Sequence, residues 1–246
     1  MMPASPADEP AHKRDSALDL IKWLALATMF IDHLRYAIPE LELTYIPGRL
    51  AFPFFCVAIA ANVARQRHRD APASWRYLAW MLAFSVLSEW PYRLLVPDAQ
   101  TLNIMPTLAL GLLITQAIAR PKGVTLVLGL LALAIGLYLD GDLQYGVPGM
   151  LLIAGCYAAM RRPAQLWLLP VLLSLVANYW PEVYESASHG DISAWLVIAV
   201  CGLPPLLGIW LLGRPIPFVP PPVGRWAYLF YPAHLLLLVG IRSIIA

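Results

Sequence analysis

An acid and an imidazole stand side by side at Asp32 and His33, inside the apolar stretch SALDLIKWLALATMFIDHLRYAI from Ser16 to Ile38. An imidazole changes charge near neutrality, so His33 is a candidate general base, or a nucleophile that carries a transferred group. Asp32 does not orient the His33 ring, because neighbours on a regular helix point about 100° apart. It shares a face with Arg35 and Tyr36 instead, and an Asp32–Arg35 pair is expected. The group that orients His33 is expected from another helix or an outer loop, with Glu89, Asp140 and Asp142 as candidates.

Other costly residues sit in apolar surroundings. Arg49 opens GRLAFPFF, Glu89 and Arg93 lie in SEWPYRL, and Asn103 begins NIMPTLALGLL. Asp140 and Asp142 belong to DGDLQYG, and His234 lies in YLFYPAHL. An ionisable side chain at membrane depth costs about 2.5–3.5 kcal/mol on insertion scales, so such residues usually line a polar cavity. Their positions suggest a water-accessible cavity opening outward, with His234 deeper than the rest. Plainer readings stand beside this. Glu89 and Arg93, four apart, can pair with each other. Arg49 can anchor at the headgroups through its long side chain. His234 can bridge two helices. Pro53, Pro91, Pro106 and Pro232 are tolerated in membrane helices and shape bends.

The elements that must hold these groups are membrane helices. Of 246 residues 60% are apolar and 13% charged, about half the charge of a soluble domain, and mean hydropathy is +0.66. Apolar runs at roughly 17–38, 49–64, 75–96, 103–119, 123–139, 146–160, 163–180, 193–212 and 226–245 predict nine spans. Arg65, Arg67, Arg69 and Arg76, then Arg120 and Lys122, then Arg161 and Arg162, then Arg214 and Arg225 fill alternate loops; Lys13 and Arg14 precede the first span. Acids fill the others: Glu40 and Glu42, Asp98, Asp140 and Asp142, and Glu182, Glu185 and Asp191. The alternation predicts an all-α, multi-pass bundle with a cytoplasmic N-terminus and an outer C-terminus. Residues 1–16 read as a disordered polar tail and 17–246 as a single membrane domain. The first apolar run is long and lacks a cleavage site, so it is expected to serve as its own insertion signal. The stretch RPIPFVPPPVGR, 214–225, predicts a stiff extended connector. Cys56, Cys156 and Cys201 lie in apolar runs at no metal-like spacing, so no metal site is expected. A net charge of +2 with no basic stripe argues against nucleic acid.

Taken together, LIKWLALATMFIDHL, GRLAFPFFCVAIA, SEWPYRL, LNIMPTLALGLL, DGDLQYGVPGMLLI and YLFYPAHLLLL resemble, in order, the TraX family, known as F-pilin acetylases and including conjugation proteins called TrbP. The proline-rich loop and the N-terminal tail fall outside the matching pieces. The resemblance implies a multi-pass enzyme of the bacterial inner membrane that transfers an acetyl group to the N-terminal amine of a processed pilin. Acetyl-CoA is the implied donor, reaching the site from the cytoplasm. The resemblance carries Asp32, His33, Arg49, Glu89, Asn103, Asp140, Tyr231 and His234 into the expected site. From their chemistry, His33 is the base or acetyl carrier, Arg49 and Asn103 are donors to the thioester oxygen, and Asp32 or Glu89 holds the acceptor's ammonium. Arg35, Arg93, Asp140, Asp142, Tyr231 and His234 complete the set as substrate- or donor-binding residues. Arg65, Arg67, Arg69, Arg76, Arg161 and Arg162 are available to the donor's phosphates, although positive-inside topology alone puts arginines there. Two rival classes remain open: a non-catalytic factor that holds pilin for assembly, and a transporter of a small polar solute. Against the transporter, the sequence shows no internal two-fold repeat.

Overall fold

The computed structural model describes residues 15–68 and 75–245. The polar tail with Lys13 and Arg14, and Arg69 of the second loop, lie outside these residues. Helix α1 (Ser16–Ala37) is followed by a 3-10 segment (Pro39–Thr44) and the single turn α2 (Tyr45–Gly48), which lead into α3 (Ala51–His68). Then come α4 (Trp75–Leu95), α5 (Ile104–Ala119), α6 (Gly123–Tyr138), α7 (Gly146–Arg161), α8 (Pro163–Leu166) and α9 (Leu168–Ala177). The chain ends with α10 (Pro181–Ser188), α11 (Ile192–Gly202), α12 (Pro204–Leu212) and α13 (Trp226–Ile245).

Each apolar run holds one helix, or two separated by a single residue, at Trp167 and at Leu203. Local chemistry sets where the helices start. Asp15 caps α1 by accepting from Leu18 N at 2.9 Å, and Asp191 caps α11 by accepting from Ser193 N. Proline opens α8, α10 and α12, where its missing N–H costs no helical bond.

Among the described residues, the continuous helical stretch Pro39–Arg67 and helix α13 are long and apolar enough to cross a bilayer. The pair α11 and α12, bent by 42°, passes the same test together. Helix α1 has the length, but it carries Asp19, Lys22, Asp32 and Arg35. Helices α5, α6 and α7 have 16 residues each, about 24 Å at 1.5 Å per residue.

The outer faces show what the helices are packed for. Val124, Val127, Leu130, Leu131, Ile135 and Leu137 of α6 all stand exposed, as do Leu82, Val86 and Leu87 of α4. Continuous apolar surface of this kind is foreign to a soluble monomer and suits acyl chains. The chain is a helical membrane protein. Its main core joins α1, α3, α4, α5, α7 and α13. Close backbone approach tightens it: a Cβ at Gly111 of α5 would lie 2.5 Å from the Met150 carbonyl of α7.

Candidate functional site

Helices α1 and α13 position the two histidines. Trp226, the first residue of α13, packs on Trp23 of α1 with ring centroids 5.3 Å apart. Counted from that contact, His33 lies ten residues along α1 and His234 eight along α13, so the rings reach nearly the same depth. This corrects the expectation that His234 lies deeper. Trp226 docks part-way up α1 rather than beside its first turn, so counting from helix ends misplaces everything on α13.

His33 Nδ1 lies 2.7 Å from His234 Nε2, and the rings are nearly parallel at 13°. So short an N···N distance makes the contact a hydrogen bond between ring edges. His234 Nδ1 lies 2.9 Å from the Phe230 carbonyl oxygen. A carbonyl only accepts, so His234 Nδ1 carries the proton and, in the neutral ring, its Nε2 accepts. His33 must then donate through Nδ1–H, which leaves its Nε2 as a bare lone pair. The tautomers are thus assigned by the chain of partners. No described residue hydrogen-bonds His33 Nε2. Phe230 lies 5.1 Å from His234, Tyr231 5.6 Å and Phe30 6.3 Å, while Tyr36 stands 6.0 Å from His33. The orienter of His33 is therefore a second imidazole; Glu89, Asp140 and Asp142 are engaged elsewhere.

Asp32 points away from the histidines, towards the backbone of Gly48, where any Cβ would collide with its carboxylate. Arg35 Nε lies 3.4 Å from Asp32 Oδ1, and its guanidinium donates to the Tyr36 hydroxyl at 2.9 Å. Asp32 Oδ1 is nevertheless buried with no hydrogen-bond donor on it. The next residue after Gly48, Arg49, is buried rather than stretched to the headgroups. It donates to Asn178 Oδ1 at 3.3 Å and lies 4.5 Å over the Trp180 ring, while its Nε is buried without an acceptor. Trp180 in turn packs on Tyr45, centroids 5.7 Å apart. Arg49, Trp180 and Tyr45 thus pack together beside Asn178. Nearby Tyr145 holds φ at +66°, a strained value for an aromatic residue, and stacks face to face on Phe52 at 4.2 Å. Asn178, Trp180 and Tyr145 escaped the sequence reading. Nothing local ties Asn178 to an arginine 129 residues away.

Glu89, Arg93 and Asn103 form a separate group between α4 and α5. Arg93 Nε donates to Glu89 Oε1 at 2.8 Å, and its guanidinium also bonds the Ala99 carbonyl. Asn103 gives both its backbone N–H and its amide to Glu89 Oε2, at 3.0 and 2.7 Å, and its amide also bonds the Ser85 carbonyl. Its own oxygen caps α5 through Met105 N at 3.0 Å. The backbone N–H and both side-chain polar atoms of Asn103 are thus committed to holding the start of α5 against α4. Asp140 accepts from Val147 N at 2.6 Å at the start of α7, and the Asp142 carbonyl accepts from Leu102 N at 2.8 Å. Both stand on the exposed turn, away from the histidines. Tyr231 is buried three residues before His234.

The family model described as TraX protein matches residues 17–242. Protein TraX of Escherichia coli is 27% identical over 226 residues, covering 89% of this chain and 85% of the relative. Protein TraX of Escherichia coli strain K12 is 29% identical over 227 residues, with the same shares of each chain. No solved structure matches.

Proposed function

The chain belongs to the TraX family, and from that premise we propose that it is an acetyl-CoA-dependent N-acetyltransferase acting on the N-terminal amine of a processed pilin subunit. In this reading it is a nine-span protein of the bacterial inner membrane with its N-terminus in the cytoplasm and its C-terminus outside. The alternation of basic and acidic loops supports that orientation.

The observation that carries the reading is the directed chain from His33 Nδ1–H to His234 Nε2 and from His234 Nδ1–H to the Phe230 carbonyl. It leaves one unprotonated nitrogen, His33 Nε2, facing no partner, which is the state a general base needs. Asp32 Oδ1, buried without a donor, is the acid on hand for the acceptor's ammonium. That ammonium first releases a proton to bulk water, the one net proton of the reaction, to become the attacking amine. Its nitrogen bonds to the thioester carbon, and His33 Nε2 takes the proton this nitrogen sheds. The C–S bond then breaks, the amide stays on the acceptor, and His33 returns the proton to the departing thiolate. Arg49 Nε–H, buried without an acceptor, is the donor on hand for the oxyanion. Glu89 and Asn103 act in this scheme as supports of α5.

Purified full-length protein in detergent, given acetyl-CoA and a peptide with the pilin N-terminus, should release free thiol together with acetylated peptide. A peptide whose amine is already blocked should release none. Thiol release that ignores the blocked amine, or no release with either peptide, would overturn the reading and favour an assembly factor.

A further inference from the structure

From the histidine pair towards the starts of α1 and α13, residues of α1, α3, α4, α5 and α13 line a cavity of about 310 Å³. Leu26, Met29, Met81 and Leu108 give it apolar walls. Asn62 and Tyr77, which share a hydrogen bond, are polar points within it. Tyr231 and Met29 bound its upper part, three and four residues from His234 and His33. The cavity therefore reaches to about one helical turn from the paired rings.

Two basic residues line its other end. Lys22 is paired with Asp19 at 3.6 Å, and Arg225 is exposed with no ion pair to a described residue, which leaves its charge open to an anion. The rim is built by the proline-rich segment, which is strapped to the first helix. Val223 N donates to Asp19 Oδ1 at 3.3 Å, Lys22 Nζ donates to the Val223 carbonyl at 3.5 Å, and Trp23 Nε1 donates to the Pro221 carbonyl at 3.0 Å. The segment read from sequence as a connector thus sets the position of Arg225. From Lys22 to Met29 the cavity climbs seven residues of α1, about 10 Å. Its volume is at the small end of the roughly 300–1,000 Å³ of ligand pockets, enough for a thin chain and too little for a nucleotide as well.

We infer that this cavity is the donor channel: the uncharged arm of a coenzyme A thioester threads it, with the anionic head held outside by Lys22 and Arg225 and the thioester brought up to the histidine pair. The inference rests on the acyl-transfer reading and adds the donor's site to it. An anionic lipid also combines a phosphate with a thin chain, so the test must separate the two.

The experiment is a binding titration of detergent-purified, full-length protein with coenzyme A, with pantetheine and with phosphatidylglycerol. Coenzyme A and pantetheine should bind, and phosphatidylglycerol should not displace them. Ala58→Phe, which pushes a ring into the channel wall, should abolish binding of both. Arg225→Gln should weaken coenzyme A about tenfold, the loss of one charge-assisted phosphate contact, and leave pantetheine unchanged. Arg225 is exposed, so this variant keeps the fold and carries the test alone if Ala58→Phe does not accumulate. Coenzyme A affinity indifferent to Arg225→Gln and Ala58→Phe, or displacement by phosphatidylglycerol, overturns the channel. Acetyl transfer that survives Ala58→Phe also removes the channel, but leaves the transfer reading standing. Variant-sensitive binding of coenzyme A without any transfer does the reverse.

Discussion

The two histidines should not be equivalent, and the hydrogen-bond chain says by how much. Removing the base by His33→Ala should cost the whole general-base contribution, about 10²–10⁴ in rate. His234 touches no substrate in this scheme; it is a positioning residue. Its Nε2 holds the His33 Nδ1–H at 2.7 Å, a bond between neutral rings that becomes charge-assisted once His33 takes up a proton. A bond to a charged group contributes about 1.5–3 kcal/mol, which is about 10–150-fold in rate at 1.36 kcal/mol per decade. His234→Ala should therefore fall less far than His33→Ala. His234→Gln should recover part of the loss, because its amide oxygen can accept from His33. The double variant should be no slower than His33→Ala, since the two act as one unit. Intact mass spectrometry of a co-expressed pilin, at matched membrane levels of each variant, reads all four. A His234→Ala loss equal to that of His33→Ala, or multiplicative losses in the double variant, would refute the relay.

Four more outcomes follow from other parts of the molecule. Asp32→Asn keeps the shape packed on Gly48 and removes the charge, so the KM for the peptide amine should rise more than kcat falls in the thiol-release assay. Gly48→Ala, whose methyl would overlap Asp32, should destabilise by about 1–3 kcal/mol in detergent melts. Asn103→Ala loses the α5 cap and one of the two donors to Glu89 Oε2; it should cost about 1–2 kcal/mol. Asn103→Asp keeps the cap but sets two carboxylates together, and its melt should drop as well; an unchanged melt for both would deny the support role. For topology, Gly141→Cys should react with an impermeant maleimide in intact cells and Arg161→Cys only after permeabilisation. Cys56, Cys156 and Cys201 are all buried, so the background stays silent. The opposite pattern inverts the bundle.

Much of the fold was legible because it depends on runs of neighbours. Hydropathy located the helical stretches, and spacing of three or four residues located Asp32–Arg35 and Glu89–Arg93, whose members need only their own helix. The 100° step between Asp32 and His33 correctly sent the search for an orienter to another helix. What spacing does not carry is the offset between helices. The docking of Trp226 on Trp23 raises His234 to His33, and no pattern within either segment encodes it. The same limit hid Asn178 and Trp180 behind Arg49. It also hid Lys22 and Arg225, which join at a rim only because the proline-rich strap folds back on Asp19 and Trp23.

The use of a second imidazole, rather than a carboxylate, to orient the first follows from the solvent. A buried carboxylate carries its charge, or the cost of neutralising it, through the whole resting state, and at membrane depth an ionised side chain costs about 2.5–3.5 kcal/mol. A pair of neutral rings carries none until His33 takes a proton, and then the second ring is already in place to share it. The acid that is present, Asp32, is turned the other way and held by Arg35 against Gly48. It is kept from fixing a proton on His33 while remaining available to a cation at the site. Adjacent in sequence and separated by one helical step, the two groups can serve different molecules: the carboxylate an incoming ammonium, the imidazole the proton that leaves when nitrogen bonds to carbon.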